Sequence, residues 1–146
     1  MPPACKVYVD GASRGNPGPA GIGVVVLSPE GEVLREHYEY LGVNYTNNQA
    51  EYMALIRALE ICSELCPGGV VHVFSDSELL VKQLVGLYRV RSPSLKQLFR
   101  DVRRRERAFS KVFYHHVRRE LNERADQLAN RAIAEGLRGL KGLKSI

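Results

Sequence analysis

Residues 7–26, VYVDGASRGNPGPAGIGVVV, hold two apolar segments joined by a stretch rich in Gly, Pro, Ser and Asn. Alternating apolar residues predict a first strand at residues 5–10, and the continuous apolar run predicts a more deeply buried strand at residues 21–27. Asp10 ends the first strand, where burial gives no reason to place a carboxylate. This stretch therefore predicts the beginning of an antiparallel sheet and a carboxylate that packing does not explain.

The remaining pattern predicts an α/β domain. From Asn48 the apolar residues recur every three or four positions, which indicates a helix to about Leu65. The other expected strands are residues 32–41, 70–74 and 111–117, and the other expected helices are residues 77–88, a segment from Pro93, and a segment for which Asn122 is a good N-cap. We expect a mixed five-stranded sheet, with three antiparallel strands followed by two parallel ones, flanked by helices.

The composition fits one globular domain, since 45% of the 146 residues are hydrophobic and 25% are charged. We expect this domain at residues 1–135, followed by a C-terminal tail at residues 136–146 that either frays or docks on the body. The net charge of +5 is concentrated in residues 100–107 and 118–124. Such a basic excess favours an anionic partner such as nucleic acid, although a solvated basic helix face explains it equally well.

The three cysteines show neither Cys-x-x-Cys spacing nor a neighbouring His, so the sequence does not indicate a zinc site. Free thiols suit the reducing cytosol. The N-terminal residues MPPACK contain no apolar signal region, and no segment approaches 18 apolar residues. We therefore expect a cytoplasmic monomer that does not enter a membrane.

Four carboxylates lie at the ends of predicted elements, where α/β proteins place their chemistry: Asp10, Glu51, Asp76 and Asp126. Each one alone has a structural explanation, as a helix-dipole partner, an N-cap or a turn residue. Converging on one pocket, they would repel one another, and a divalent cation such as Mg²⁺ or Mn²⁺ would relieve that repulsion. The spacing alone leaves their convergence open.

Four segments resemble the signature blocks of ribonuclease H type 1, in the order that this family shows. They are YVDGASRGNPGPAGIGVVV, TNNQAEYMALIRAL, VFSDSELLVKQL and NERADQLANRA, and they cover most of residues 6–133. One block alone is a weak signal, whereas four ordered blocks are specific. The resemblance implies the RNase H-like fold.

The resemblance further implies that the four carboxylates form an acidic tetrad holding two Mg²⁺ or Mn²⁺ ions. The implied reaction is endonucleolytic hydrolysis of the RNA strand of an RNA/DNA hybrid, which leaves 5′-phosphate and 3′-hydroxyl ends. The Gly-rich loop and the Asn pair after the third strand are then substrate contacts, and of Asn47 and Asn48 we expect one to cap the helix and the other to bind. The implied substrate residues are Gly11, Ser13, Asn16, Thr46, Asn48, Gln49 and Asn122.

The chain departs from the family pattern at two places. Many members carry a catalytic His in a loop about ten residues before the last Asp, and His116 stands ten residues before Asp126. If the loop is instead shortened, as the resemblance of VRRELNERAD to a branch lacking that His favours, Arg118 or Arg119 takes its place and His116 has a structural role. A basic, Trp-rich handle is also absent between residues 84 and 98, so the arginines at 89, 91 and 103–105 are the candidates for gripping DNA. These departures leave room for double-stranded RNA as a side substrate.

Two alternative functions stay open at this point. A binding module would keep the pocket and lose the chemistry, and the presence of all four carboxylates argues against it. A nuclease for double-stranded RNA or for DNA would keep the chemistry with another substrate, because a fold does not fix its substrate. The intact Gly-rich loop and Asn pair favour the hybrid.

Overall fold

The computed structural model describes residues 3–144 as a five-stranded sheet with helices on both sides. The strands are β1 (Ala4–Ser13), β2 (Gly18–Leu27), β3 (Val33–Tyr45), β4 (Val70–Ser75) and β5 (Lys111–His116). The helices are α1 (Asn47–Leu65), α2 (Glu78–Leu84), α3 (Pro93–Glu106) and α4 (Glu123–Lys144), with a 3₁₀ turn at Arg119–Leu121.

The spatial order of the strands is β3-β2-β1-β4-β5. Strand β2 pairs antiparallel with both β1 and β3, while β4 pairs parallel with both β1 and β5. The predicted mixed sheet, with its antiparallel meander followed by two parallel strands, is thereby confirmed. The parallel strands β1 and β4 end side by side, which brings their C-terminal residues to one edge of the sheet.

Several elements differ from their predicted bounds, among them β3, which was expected to end at residue 41 and continues to Tyr45. Strands β1 and β2 extend into the Gly-rich stretch, so that only residues 14–17 connect them, because Gly11 and Ser13 pair with Ile22 and Ala20. Helix α2 ends at Leu84 rather than at residue 88, since Gly86 adopts a φ of 87° that terminates the helix. The predicted boundary between the domain and the C-terminal tail, at residues 135 and 136, falls inside α4, which continues to Lys144.

The larger hydrophobic core lies between the sheet and helices α1, α2 and α3. Alternate residues of β1 and β4, such as Val7, Val9 and Val73, point into it and meet the buried face of α1. Three free cysteines, Cys5, Cys62 and Cys66, are also buried in this core. Burial raises the pKa of the Cys62 thiol and raises that of Cys66 to about 12, so these two thiols remain protonated at neutral pH.

Helix α4 covers the opposite side of the sheet, over β2, β3 and β1. Two glycines of β2 allow it to approach closely. A Cβ at Gly21 would lie 2.7 Å from the carbonyl oxygen of Ala129, and a Cβ at Gly23 would clash with the carbonyl oxygen of Ala125. The position of α4 therefore depends on the absence of side chains in β2.

The C-terminal part of α4 bears on the predicted tail. Gly136 lies against the ring of Tyr40, which a Cβ at this position would overlap. The side chains of residues 140–146 lie outside the described part of the chain, so the docking of their leucines stays a prediction. Within residues 3–144, no helix is both long and apolar enough to cross a membrane.

The glycine contacts lead to a stability prediction. We expect Gly23→Ala to lower the free energy of unfolding by about 1–3 kcal/mol or more, because the added methyl group forces α4 away from the sheet. The matched control is Gly139→Ala in α4, where a Cβ meets nothing within 4 Å. This change should raise stability by about 0.5–1 kcal/mol through helix propensity. Urea denaturation measures both, and equal effects of the two changes would contradict the close-approach argument.

Candidate active site

Three carboxylates converge where β1, α1 and β4 meet. Asp10, Glu51 and Asp76 each offer one carboxylate oxygen, and these oxygens all lie within 4.8 Å of one another. Asp10 is only 6% exposed, although it carries a carboxylate. The structure thus brings together three of the four predicted carboxylates in the geometry that a single cation can bridge.

Glu51 reaches this cluster because β1 and α1 approach each other closely at Gly11. A Cβ at Gly11 would clash with the backbone of Ala50, so only glycine permits this contact. The N–H of Gly11 donates a 2.6 Å hydrogen bond to Oε1 of Glu51. Gly11 was predicted to contact the substrate, but in the structure its N–H orients the carboxylate of Glu51.

Asp126, the fourth predicted carboxylate, lies beside Asp10 in the first turn of α4. Its Oδ1 accepts a 3.2 Å hydrogen bond from Nδ2 of Asn130, one turn later in the helix. Helix α4 can approach the sheet closely because β2 has glycines there, and it thereby places Asp126 at the cluster.

Asn122 links the cluster to the sheet. Its side chain is 2% exposed, and its Nδ2 donates to the carbonyl oxygen of Val9 at 2.8 Å and to Oδ1 of Asp76 at 3.1 Å. Both partners are acceptors, which fixes the orientation of the amide. Asn122 stands at the predicted N-cap position of α4, since its carbonyl oxygen accepts from the N–H of Asp126 at 3.1 Å, but its side-chain Oδ1 is buried without a hydrogen-bond partner in the described part of the chain and does not cap the helix. Its Nδ2 instead holds one oxygen of Asp76. Contact of Asn122 with substrate stays a prediction.

Burial and mutual repulsion perturb the cluster. Burial, together with the charges of Glu51, Asp76 and Asp126, raises the pKa of Asp10 to about 9. Burial also raises the pKa of Glu51 to about 8, although the N–H of Gly11 and the charge of Arg119 oppose this shift. The site thus holds more negative charge than its surroundings stabilise, which favours a cation.

A divalent cation fits this donor set. The ligands are hard carboxylate oxygens, and Mg²⁺–O bonds of about 2.1 Å can join oxygens with these separations after small side-chain rotations. A bound cation would also replace the protons that the raised pKa values otherwise retain. Asp10, Glu51 and Asp76 are therefore the residues that can hold a metal.

Arg119 is the cation beside the cluster. Its Nε lies 3.7 Å from Oδ2 of Asp76, and its side chain is 86% exposed. Arg118 precedes the 3₁₀ turn and His116 ends β5, both of them exposed. Of the two arginines predicted to replace the missing His, the structure places Arg119 next to a cluster carboxylate.

The Gly-rich connection and the start of α1 are joined by hydrogen bonds. The N–H of Ser13 donates to Oδ1 of Asn47 at 2.8 Å, and the N–H of Asn47 donates to Oδ1 of Asn16 at 3.0 Å. Sequence reasoning gave Asn47 or Asn48 a capping role, but the N-cap is Thr46. Asn47 instead ties the two predicted substrate segments together.

Thr46 and Gln49 form a capping box. The N–H of Gln49 donates to Oγ1 of Thr46 at 3.1 Å, and the N–H of Thr46 donates to Oε1 of Gln49 at 2.9 Å. Asn48, the next residue after Asn47, has an exposed side chain. The structure therefore leaves Asn16 and Asn48 with exposed side chains at this edge, while Thr46 and Gln49 also serve the helix.

A basic cleft lies between α2 and α3. This cleft of about 490 Å³ includes Arg89, Lys96 and Arg100 in its lining. The predicted grip at residues 103–105 is instead occupied within the protein: Arg103 pairs with Glu106, Arg104 with Asp101, and Arg105 with Glu60 and Asp101. Of the predicted arginines, Arg89 and Arg103 line this cleft, while Arg91 is exposed and lies outside its lining.

Because the cluster carboxylates repel one another, replacing one of them by a neutral residue should raise the free energy of unfolding, by an amount that depends on pH. Because the folded-state pKa of Asp10 lies above its ordinary value of 3.8, stability falls as the pH rises from about 4 to about 9. In EDTA at pH 8 we expect Asp10→Asn to raise the free energy of unfolding by about 1–3 kcal/mol. The gain should largely vanish near pH 4, because there the unfolded chain also retains much of the proton that Asp10 holds in the folded protein. Urea denaturation at both pH values measures it, and an equal gain at both would contradict the repulsion argument.

The geometry of this site agrees with comparisons to known proteins. Residues 8–132 match the family model described as reverse transcriptase-like. The chain is 44% identical over 128 residues to a ribonuclease HI of Halobacterium salinarum, an alignment that covers 86% of this chain. It spans 62% of that relative's length, which is less than two thirds.

Two further relatives match over nearly their whole length. A ribonuclease HI of Caulobacter vibrioides is 32% identical over 154 residues, which cover 94% of this chain and 95% of that protein. The solved structure of LC11-RNase H1 in complex with an RNA/DNA hybrid is similar with a TM-score of 0.87 at 43% identity, over 91% of this chain and 99% of that one. On its fold, its carboxylate cluster and these similarities, the chain belongs to the ribonuclease H type 1 family.

Proposed function

We propose that this protein is a metal-dependent endoribonuclease that hydrolyses the RNA strand of RNA/DNA hybrids. The observation that carries the proposal is the convergence of buried Asp10 with half-buried Glu51 and Asp76 at a surface bordered by an exposed arginine. A relative of 43% identity is known in complex with an RNA/DNA hybrid, which supports the same substrate here. One chain supplies all four carboxylates, so a monomer suffices for the reaction.

The four carboxylates would hold two Mg²⁺ or Mn²⁺ ions. When bound, such ions lower the pKa of a water nucleophile and neutralise the charge that develops on the phosphate oxygens, which leads to 5′-phosphate and 3′-hydroxyl products. The chain's own part is to fix the ligands: Gly11 orients Glu51, Asn122 holds Asp76, and α4 places Asp126. Arg119, with an exposed guanidinium next to Asp76, is placed to contact a phosphate.

The edge formed by the β1–β2 connection and the start of α1 would recognise the nucleic acid backbone. Asn16 and Asn48 present exposed amides there, and small residues let a backbone approach closely. Amides that meet a ribose 2′-hydroxyl distinguish RNA from DNA at such a position. The basic cleft that includes Arg89, Lys96 and Arg100 would receive the DNA strand.

A binding module without chemistry is the alternative. Such a module gains nothing from burying three carboxylates against one another, because their repulsion costs stability that a neutral residue would restore. The raised pKa values of Asp10 and Glu51 therefore support a catalytic site rather than a binding surface.

The matched pair Glu51→Gln and Glu64→Gln tests the proposed function. Both residues lie in α1, but Glu64 is 70% exposed and pairs only with Arg35 at the surface. We expect Glu51→Gln to lower kcat on a labelled RNA/DNA hybrid by at least about 1,000-fold, because it removes a metal ligand. Glu64→Gln should retain wild-type activity.

The same assay includes double-stranded RNA and double-stranded DNA, each with Mg²⁺, Mn²⁺ or EDTA. Cleavage of the hybrid's RNA strand that EDTA abolishes is the expected result, and any cleavage of double-stranded RNA should be weaker. Folded protein that binds the hybrid but cleaves no substrate with either metal would make it a binding module.

Arg119 and Arg118 form a second matched pair, because they are adjacent and both exposed. Phosphate contact by Arg119 predicts that Arg119→Ala lowers kcat by about 10- to 100-fold, a loss of one charge-assisted hydrogen bond. Arg118→Ala should change kcat by less than about threefold, and Arg119→Lys should restore part of the activity. Equal losses for the two alanine variants in steady-state kinetics would argue against a specific role of Arg119.

A further inference from the structure

One side of β4 and β5 is exposed next to the carboxylate cluster. Helix α4 packs on this side of the sheet over β3, β2 and β1, and in the part of the chain that the structure describes it leaves β4 and β5 partly open to solvent. The residues that alternate onto this side define what we name the open sheet face: Lys6, His72, Phe74, Lys111, Phe113 and His115.

Aromatic rings form two rows across this face. Tyr8 stacks on Phe74 with ring centroids 4.8 Å apart, and Phe74 stacks on His115 at the same separation. In the second row, His72 stacks on Phe113 at 4.9 Å. The rings of His72 and His115 lie edge to edge in nearly one plane, with centroids 5.1 Å apart, and they join the two rows. Phe113, in the edge strand β5, remains 40% exposed.

The two histidines present polar atoms at this surface. Nδ1 of His72 lies 2.9 Å from Nε2 of His115, so one of these nitrogens donates and the other accepts. In either neutral arrangement, one of the two remaining ring nitrogens carries a hydrogen. The pair therefore keeps at least one N–H donor for a partner outside the stack.

The charge of the open sheet face complements a polyanion. Lys6 lies beside His72 in the β1–β4 register, and Nζ of Lys111 lies 5.6 Å from the ring centre of Phe113. The residues that alternate onto this side of β1, β4 and β5 before the carboxylate cluster include these two lysines and no acidic residue. Two cations, an N–H donor and an exposed ring are the groups that bind phosphates and stack on a base.

The open sheet face is continuous with the proposed active site. Phe74 precedes Asp76 by two residues in β4, and Lys6 precedes Asp10 by four residues in β1. Four residues of a strand span about 13 Å, a distance that a few nucleotides can bridge. A strand whose phosphate lies at the carboxylates can therefore continue along this face.

We propose that the open sheet face binds the single-stranded continuation of the RNA strand whose hybrid portion lies at the carboxylate cluster. This inference rests on the proposed function, and it adds a substrate preference: hybrids with an RNA overhang are better substrates than blunt ones.

Steady-state kinetics on matched hybrids tests the proposal. The substrates share one hybrid segment and carry no overhang, a six-nucleotide 5′ RNA overhang, or a six-nucleotide 3′ RNA overhang. We expect one overhang polarity to lower KM by about threefold to tenfold at low salt. For that substrate, a plot of log KM against log salt should steepen by about 0.7 for each lysine that contacts a phosphate.

The variants are Lys6→Gln, Lys111→Gln, their combination and Phe113→Ser, with Arg138→Gln as a charge-matched control in α4. The double lysine variant should abolish the overhang effect and leave kcat and KM on the blunt hybrid unchanged, and Phe113→Ser should reduce the effect. Arg138→Gln should leave it intact, and thermal denaturation verifies that each variant folds.

The outcomes separate the two proposals. If the blunt hybrid is not cleaved, the proposed function fails. If it is cleaved but neither overhang lowers KM, or if the lysine variants keep the full overhang effect, the open sheet face does not bind RNA and the inference is overturned.

Discussion

Repulsion among buried carboxylates is the constraint on which the rest of the structure depends. Asp10, Glu51 and Asp76 bring their oxygens within 4.8 Å of one another, and burial strengthens the repulsion because it removes the water that would screen it. The fold holds these residues together by the close approach of β1 to α1 at Gly11 and by the buried amide of Asn122. Without a cation, the raised pKa values show that this arrangement costs stability.

Glycine is the means by which the fold meets this constraint. Gly11 lets α1 approach β1 so that Glu51 reaches Asp10, while Gly21 and Gly23 let α4 approach β2 so that Asp126 reaches it from the other side of the sheet. In each case a Cβ would collide with helix backbone, which cannot move as a side chain can. The small residues of β1 and β2 therefore have a structural role in the site that is separate from any contact with substrate.

The sequence predicts the order of the strands and helices because apolar periodicity is a local property, and it predicts the four carboxylates because they stand in recognisable blocks. It does not predict that β1 and β2 continue through the Gly-rich stretch. Gly and Pro usually indicate a turn, whereas here Gly11 and Gly18 are paired strand residues. The role of Asn122 was also missed, because its partners Val9 and Asp76 are distant in the chain and an Asn before a helix usually predicts an N-cap.

The placement of α4 also explains why an uncovered surface borders the carboxylates. The helix packs where β2 has glycines, and it therefore lies over β1, β2 and β3 rather than over β4 and β5. The sheet side that α4 leaves open is exposed to water, and there the chain places lysines, histidines and aromatic rings that stack on their cross-strand neighbours. For solubility alone, any polar side chains would suffice on the side of β4 and β5 that α4 does not cover. The choice of cationic and aromatic residues beside a nuclease site is therefore better explained by an anionic strand than by solubility alone.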